Sequence, residues 1–348
     1  MPERLGFGMI GCGEIAVQTS TSILQSQSAR VVCCMDVRED LAADLAGRHE
    51  ASFTTSLEEL LGDERVEAVV ISTPHHLHAP QVFRAVEAGK HVLVEKPIAR
   101  RLTEADEMIA AAEQAKVALG VLFFVRFGFP PVRARQLVRG GALGEVLAVK
   151  VHDMMDKPAH YWQGGYTGRV RDDWRVSLDK SGGGVLLMNL SHNIDAMVSI
   201  LDPAPRRIYA EYGTLGTQTE VEDFVSFVMT LEGGTIFSGD GSSVAAGGES
   251  LGDRIYGRKG QLAMRGNRLR AFLKEPWQEL EAGRWLELPA PEGFPDGRSV
   301  HVERFARAVL DGGELPIPAR QARRSLEIVR GAYLSMQRRR PVDFPVQE

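Results

Sequence analysis

The sequence predicts an α/β protein: a doubly wound parallel sheet over residues 1–124, followed over 125–348 by an α+β part with a mostly antiparallel sheet. Three observations predict it. In the first third, short and almost continuously apolar runs alternate with helix-like stretches, as in strands that helical crossovers bury on both faces. Beyond Phe124 the β-type segments follow one another directly, and Glu232-Gly233-Gly234 reads as a hairpin turn between two of them. The length of 348 residues is more than a single core usually carries.

The elements follow in order. Strands are expected at 5–10, 31–35, 68–72, 91–95 and 119–123, with amphipathic or Ala-rich helices at 80–88 and 103–116. Thr103 followed by Asp106 has the form of a capping box. A helix over 131–139 runs into Gly140-Gly141, a suitable C-terminal stop. Strands are expected at 145–153, 207–213, 221–231 and 235–243, and late helices at 299–310 and 320–337. From 153 to 184 runs a polar segment rich in Trp, Tyr, Arg and Gly; loops of that length in a compact domain usually carry function.

Composition excludes several classes. With 44% hydrophobic and 25% charged residues the chain is neither disordered nor a coiled coil. Its net charge of −5 supplies no attraction for nucleic acid or an anionic membrane. Cys12, Cys33 and Cys34 form no disulfide framework, Met1-Pro2-Glu3-Arg4 leads into no signal-peptide pattern, and no apolar stretch is read as approaching the ~18 residues of a membrane helix. A cytoplasmic protein with no nucleic-acid or membrane partner is expected.

Gly11-Cys12-Gly13-Glu14-Ile15-Ala16 directly follows the first strand and opens a helix, the required context for the Gly-x-Gly-x-x-Gly/Ala dinucleotide fingerprint. Gly11 permits the tight turn, and Gly13 clears the space into which a diphosphate must come. Ala16 lets helix and strand pack closely, and the helix N-terminus presents N–H groups from Glu14 and Ile15 onward. Asp36 ends the second strand, where a carboxylate accepts both ribose hydroxyls and repels a 2′-phosphate. NAD is therefore expected in preference to NADP, with Arg38 nearby as a softening influence. Two more strand ends, Ser72-Thr73-Pro74 with His75, His76 and His78, and Glu95-Lys96-Pro97, point to the same crevice. This makes Thr73, Pro74, His78, Glu95 and Lys96 cofactor-lining candidates. The histidine spacing matches no common metal-ligand pattern, and no metal is expected.

These motifs together resemble the N-terminal half of the Gfo/Idh/MocA family of sugar and cyclitol oxidoreductases. Downstream, Gly182-Gly183-Gly184-Val185-Leu186 leading to His192 and Asp195 is similar to that family's second-domain motif. The resemblance implies a Rossmann domain, then an open-faced sheet that forms homo-oligomers, dimers or tetramers. It also implies a catalytic Lys96, an active-site His192 on a helix bordering the nicotinamide, and a carbohydrate or polyol substrate. The chain departs from the family at Met188, where relatives often carry Asp or Asn; Asn189 stands one position later as a substrate-orienting candidate. Asp195, one helical turn after His192, either shares its face or braces the structure.

The chemistry agrees with that reading. Oxidising a secondary alcohol needs a hydride acceptor and a base for the hydroxyl proton. A lysine, with a reference pKa of about 10.4, serves as that base when burial and a neighbouring cation lower it. Lys96 could instead pair with Glu95, although adjacent strand residues point to opposite faces. Pro97 is a candidate cis bond. In the long segment, Tyr161, Trp162, Arg169 and Trp174 offer aromatic faces and donors for gripping a polyol; simple packing on the sheet or on a subunit is the other reading. Two further functions fit the residues: a redox-neutral glycoside hydrolase or lyase using bound NAD transiently, and a non-catalytic NAD or sugar-derivative sensor.

Overall fold

The computed structural model describes residues 4–348; residues 1–3, where the reading of the N-terminus begins, lie outside them. The chain divides into two units, each with its own sheet. The first is Met1–Phe124 with Pro158–Gly182 and Arg298–Arg324, and the second is Val125–Lys157, Gly183–Gly297 and Ser325–Glu348. A linear division at residue 124 assigns neither of the later segments to the first unit, because the contacts that hold them there are long-range.

In the first unit β1 (Leu5–Ile10), β2 (Ala29–Met35), β3 (Ser52–Thr54), β4 (Ala68–Ile71), β5 (His91–Val94) and β6 (Leu119–Val121) form a parallel sheet. Its order is β3-β2-β1-β4-β5-β6. That order reverses between β1 and β4, the switch point beside which ligands bind in doubly wound sheets. β1 is buried along its whole length, which explains the unbroken apolar run. Phe305, from the helix Gly297–Asp311, is fully buried with its ring 6.1 Å from Phe7; such burial is worth about 1.5–3 kcal/mol.

The helix Leu102–Ala115 corrects one expectation. Its N-terminal carboxylate is Glu104, which accepts from the backbone N–H groups of Arg100 (3.1 Å) and Arg101 (3.3 Å). Thr103 lies inside the helix, and Asp106 pairs with Arg323. The helix starts one residue before Thr103, which moves the capping register with it.

The second unit carries β7 (Val146–Met154), β8 (Pro205–Gly213), β9 (Phe224–Leu231), β10 (Ile236–Ser242), β11 (Asp253–Gly257), β12 (Gly260–Arg265), β13 (Arg268–Leu273), β14 (Trp285–Leu288) and β15 (Val342–Asp343). The order is β14-β13-β12-β11-β7-β10-β9-β8-β15, antiparallel throughout except for β7 with β10. Along β9, Val225, Phe227, Met229 and Leu231 are buried while Ser226 and Val228 face out, the alternation of a sheet with one covered face. The helix Ser191–Leu201 packs against β7 and the helix Phe129–Arg139.

A second correction concerns apolar length. Leu178–Leu201, 24 residues whose most apolar 18-residue window has a mean hydropathy of 1.2, is by length and composition apolar enough to cross a membrane, but 72% of that window is buried within the protein. It is core, and short polar interruptions hide its apolar character in the sequence.

Candidate active site

In the first unit, β1 ends at Ile10 and Gly11 turns with φ +85°, a value that favours glycine. A β-carbon on Gly11 would lie 2.8 Å from Thr73 Cγ2 and 3.0 Å from the Ser72 carbonyl oxygen, so the turns after β1 and β4 touch. Gly13 caps the helix Glu14–Gln25 without a side-chain bond. A β-carbon there would come no nearer than 3.6 Å to Val170, leaving an open cradle at the helix N-terminus. Asp36 accepts from Cys12 N–H through Oδ2 (2.8 Å) and from Arg38 N–H through Oδ1 (3.0 Å), which fixes its carboxylate beside the turn. Each oxygen keeps acceptor capacity for a ribose hydroxyl. Arg38 directs its guanidinium to Asp40 at 2.5 Å. A small open turn, an N-terminus without a side-chain cap and an oriented acid fit a dinucleotide diphosphate and ribose.

Other candidates from the sequence are placed differently. Thr73 Oγ1 donates to Gln81 Oε1 at 2.6 Å, and Pro74 precedes the 3-10 turn His75–Leu77. Fully buried His78 lies between two carbonyls, Nδ1 2.8 Å from that of Pro97 and Nε2 3.0 Å from that of Thr73, and so ties the β4 turn to the β5 turn. Glu95 is buried against Arg298 (2.8 Å) and Thr19 (3.3 Å). The guanidinium of Arg298 is the partner that sequence reasoning considered only at Lys96. Lys96 itself is half-buried and precedes a cis peptide bond to Pro97. Burial holds the His75 imidazole well below its ordinary pKa, with charge from His78 and Lys96 acting in the same direction. His75 donates through Nδ1–H to the Ser181 carbonyl (2.7 Å), and its ring lies 4.5 Å from that of Trp174.

The long segment contains the short helices Tyr161–Gly164 and Leu178–Ser181. Tyr161 and Trp162 are buried in an edge-to-face pair with rings 5.5 Å apart, and Arg175 lies over the rings of Tyr161 and Trp174. Arg169 donates to the Cys12 carbonyl at 3.0 Å and pairs with Asp44 at 2.7 Å. The structure thus places Arg169 on the glycine-rich turn.

In the second unit the glycine run has a steric cause. A β-carbon on Gly183 would stand 2.1 Å from the Tyr333 hydroxyl, and one on Gly184 1.9 Å from the Glu222 carbonyl oxygen. Buried Glu222 accepts from Gly184 N–H (2.7 Å), Leu186 N–H (2.9 Å) and the Tyr333 hydroxyl (2.7 Å). It therefore clamps the start of the π-helix Leu186–Leu190, whose wider turn leads directly into the helix Ser191–Leu201. His192 is the second residue of that helix and is half-buried. Met188 is buried, and Asn189 Oδ1 accepts from Lys157 Nζ at 2.6 Å.

Asp195 braces the structure: its carboxylate accepts from Arg126 Nε (2.5 Å), Arg126 Nη2 (2.6 Å) and Ser325 Oγ (2.7 Å), all in buried surroundings. The residue after His192, Asn193, donates to both oxygens of Asp253 at 3.2 and 3.0 Å, and His152 N–H adds a third bond at 3.2 Å. Burial pushes Asp253 up to about 7. Lys157, Glu222 and Asp253 were missed in the sequence, since none belongs to a motif and their partners are distant in the chain. Among the described residues no group of three His, Cys, Asp or Glu side chains is placed to hold a metal ion.

Comparisons with known proteins agree with this architecture. Residues 5–123 match the model of an oxidoreductase family with an NAD-binding Rossmann fold, and residues 132–263 match the GFO/IDH/MocA C-terminal domain. A 1,5-anhydro-D-fructose reductase of Ensifer adhaerens is 31% identical over 258 residues, 74% of each chain. The crystal structure of GenD2 from gentamicin A biosynthesis, in complex with NAD, superposes with a TM-score of 0.84 at 28% identity, covering 99% of this chain and 98% of that one. A levoglucosan dehydrogenase complexed with NADH and levoglucosan shares the fold, with a TM-score of 0.86 at 22% identity and coverage of 99% and 100%.

Proposed function

Since the chain belongs to the Gfo/Idh/MocA family of NAD-binding oxidoreductases, we propose that it transfers a hydride between NAD and a secondary hydroxyl of a sugar, sugar derivative or cyclitol. One observation carries the reading. In a single parallel sheet, the open glycine turn after β1 lies at the switch point, and Lys96 after β5, separated from β1 by β4, lies at the same carboxyl edge. The sugar class is supported by the Ensifer relative, a 1,5-anhydro-D-fructose reductase.

Gly11, Gly13, Glu14, Ile15 and Asp36 hold the cofactor in this proposal, and NAD supplies the hydride acceptor when bound. Lys96 accepts the hydroxyl proton in oxidation and returns it in reduction. Asn189 and His192 serve the substrate, with His192 sharing in the proton transfer. Thr73 and Pro74 line the cofactor, whereas Glu95 and His78 hold the two strand-end turns in place. Val228 and Ile236, exposed on the uncovered sheet face, support assembly into a homo-oligomer through that face. Three unpaired buried thiols suit a reducing compartment such as the cytoplasm.

The test is NADH absorbance on a panel of aldoses, anhydrosugars and cyclitols, including 1,5-anhydro-D-fructose in the reducing direction, alongside mass spectrometry of co-purified nucleotide. Turnover with at least one member and loss of turnover in Lys96→Ala is the expected result. Conversion of a panel member with no net change in NADH would replace this reading with a redox-neutral one.

A further inference from the structure

Three residues of the glycine-rich turn are touched by one short stretch of the long segment, all within the first unit. Arg169 Nε donates to the Cys12 carbonyl at 3.0 Å, Val170 Cγ2 lies 3.6 Å from a β-carbon built on Gly13, and Tyr166 N–H donates to Glu14 Oε2 at 3.0 Å. The stretch is fixed at both ends. Val170 packs against the apolar core of this unit, and Gly165 N–H donates to the Tyr161 carbonyl at 2.9 Å. At Gly165 itself a β-carbon would come within 2.4 Å of Glu14 Oε2, so the segment lies directly against the Glu14 carboxylate.

Arg169 is the cation in this stretch. Its side chain is only 18% exposed, and its Nη2 donates to Asp44 at 2.7 Å, so the guanidinium is held rather than trailing in solvent. A guanidinium has five N–H donors in a fixed plane, and the bonds to Cys12 and Asp44 leave the others for a further acceptor. Planar, pre-oriented donors of this kind bind phosphate oxygens in charge-assisted pairs. The Cys12 carbonyl that positions Arg169 belongs to the residue directly before Gly13, where the open cradle lies.

We propose that Tyr166–Val170 forms a strap over the diphosphate turn, and that Arg169 is a cofactor-binding residue which pairs with the NAD diphosphate and slows release of the nucleotide. The assignment rests on the NAD site at residues 11–16 and moves Arg169 from the substrate to the cofactor. It separates the roles within the long segment: Arg169 acts on the nucleotide even if the aromatic residues serve the sugar.

The experiment measures NADH dissociation by stopped-flow fluorescence, with competition by ADP-ribose and by adenosine, for wild type, Arg169→Met, Arg169→Lys and Asp44→Asn. Arg169→Met is expected to speed NADH release and weaken ADP-ribose by about 10- to 100-fold, the range for a hydrogen bond to a charged group. Adenosine, which lacks the diphosphate, should change by less than about twofold. Arg169→Lys should recover part of the loss, since the charge remains without the planar fork. Asp44→Asn frees the anchor but keeps the cation, and should speed release to a lesser extent; it also serves if Arg169→Met does not fold, as judged by circular dichroism. Wild-type release from Arg169→Met, or equal weakening of ADP-ribose and adenosine, would overturn the strap. Gly13→Val, which fills the cradle, is expected to abolish NADH binding; retained binding there would overturn the site assignment itself, a distinguishable failure.

Discussion

Lys157 donates its ammonium to Oδ1 of Asn189 at 2.6 Å, and the lysine is buried. An ammonium group only donates, so this bond fixes which end of the amide faces the lysine and leaves the amide nitrogen of Asn189 as a donor. Asn189 therefore offers a hydrogen bond to an acceptor oxygen, three residues before His192, in a chain whose neighbouring position is Met188.

The first prediction tests that pair by a double-mutant cycle of Lys157→Met and Asn189→Ala. Urea unfolding should show a coupling of about 1.5–3 kcal/mol, the usual worth of a hydrogen bond to a charged group. Additive effects would mean that the two side chains do not depend on each other.

Asp36 carries the second prediction. Its carboxylate, oriented by Cys12 and Arg38, repels a 2′-phosphate, and Arg38 is engaged with Asp40 instead of standing ready to receive one. NADH should bind at least about tenfold more tightly than NADPH, equivalent to roughly 1.4 kcal/mol, and Asp36→Ala should narrow the gap. Fluorescence titration with both nucleotides decides it; equal affinities in the wild type would remove Asp36 from the discrimination.

What the sequence makes legible follows the reach of each interaction. β1 is read to the residue because an unbroken apolar run and a glycine turn are local signals. β3, only three residues long with Ser52 and Phe53 exposed, carries no apolar run, and β11 to β14 are short strands of four to six residues broken by Gly, Arg, Asp and Glu, without a continuous apolar run. The glycine turn, Asp36, Lys96 and His192 stand out as motif positions. Glu222 does not, because its meaning comes from Gly184 and Tyr333, 38 and 111 residues away. Arg169 is visible as a residue type, but its attachment to Cys12 spans 157 residues, and only the fold shows that it sits on the glycine-rich turn.

Glu222 yields the third prediction. Its Oε1 accepts from Leu186 N–H and the Tyr333 hydroxyl, and its Oε2 from Gly184 N–H, so a glutamine must point its amide nitrogen at one of these donors. Glu222→Gln should lower stability by about 1–3 kcal/mol and Tyr333→Phe by about 0.5–1.5 kcal/mol. The π-helix leading to His192 should exchange its amide hydrogens faster in Glu222→Gln. Unchanged exchange over residues 186–190 would show that the carboxylate does not hold this turn.

The fourth prediction concerns pH. Asp253 ionises at about 7 in the fold against an ordinary 3.8, chiefly because it is buried. Between those values the unfolded chain has released a proton that the folded chain keeps, so this group's contribution to stability declines as pH rises through the window. His75 and His78 have the opposite slope. Burial holds both below 6.5, so the unfolded chain takes up protons first as the medium is acidified, and stability is lost on that side. Asp253→Asn cannot ionise, while both histidines remain. Its urea stability relative to wild type should therefore improve from about pH 4 to about pH 7 and then level off. A difference that does not vary with pH would place the titration elsewhere.

The fifth prediction addresses the chemistry. Lys96 is half-buried at the end of β5, next to a cis proline and within the electrostatic reach of His75 and His78. His192 lies in the first turn of a helix that the Glu222 clamp and the Asp195–Arg126 pair hold at fixed points. Lys96→Ala should keep its fold and its NADH affinity but lose on the order of 10²–10⁴ in kcat, the usual contribution of a positioned acid or base. His192→Ala should lower kcat as well. If the two side chains serve one proton, the double variant loses less than the product of the single losses, because removing the first partner already disables the second. Met188→Ala controls for disturbance of the π-helix: a methionine transfers no proton, so it should alter KM without moving the pH profile. In wild type, kcat/KM for alcohol oxidation should rise with pH along a limb that is absent from Lys96→Ala, since deprotonated lysine is the active base. Near-normal turnover in Lys96→Ala with the limb intact would eliminate the lysine as the proton acceptor, whatever the substrate proves to be.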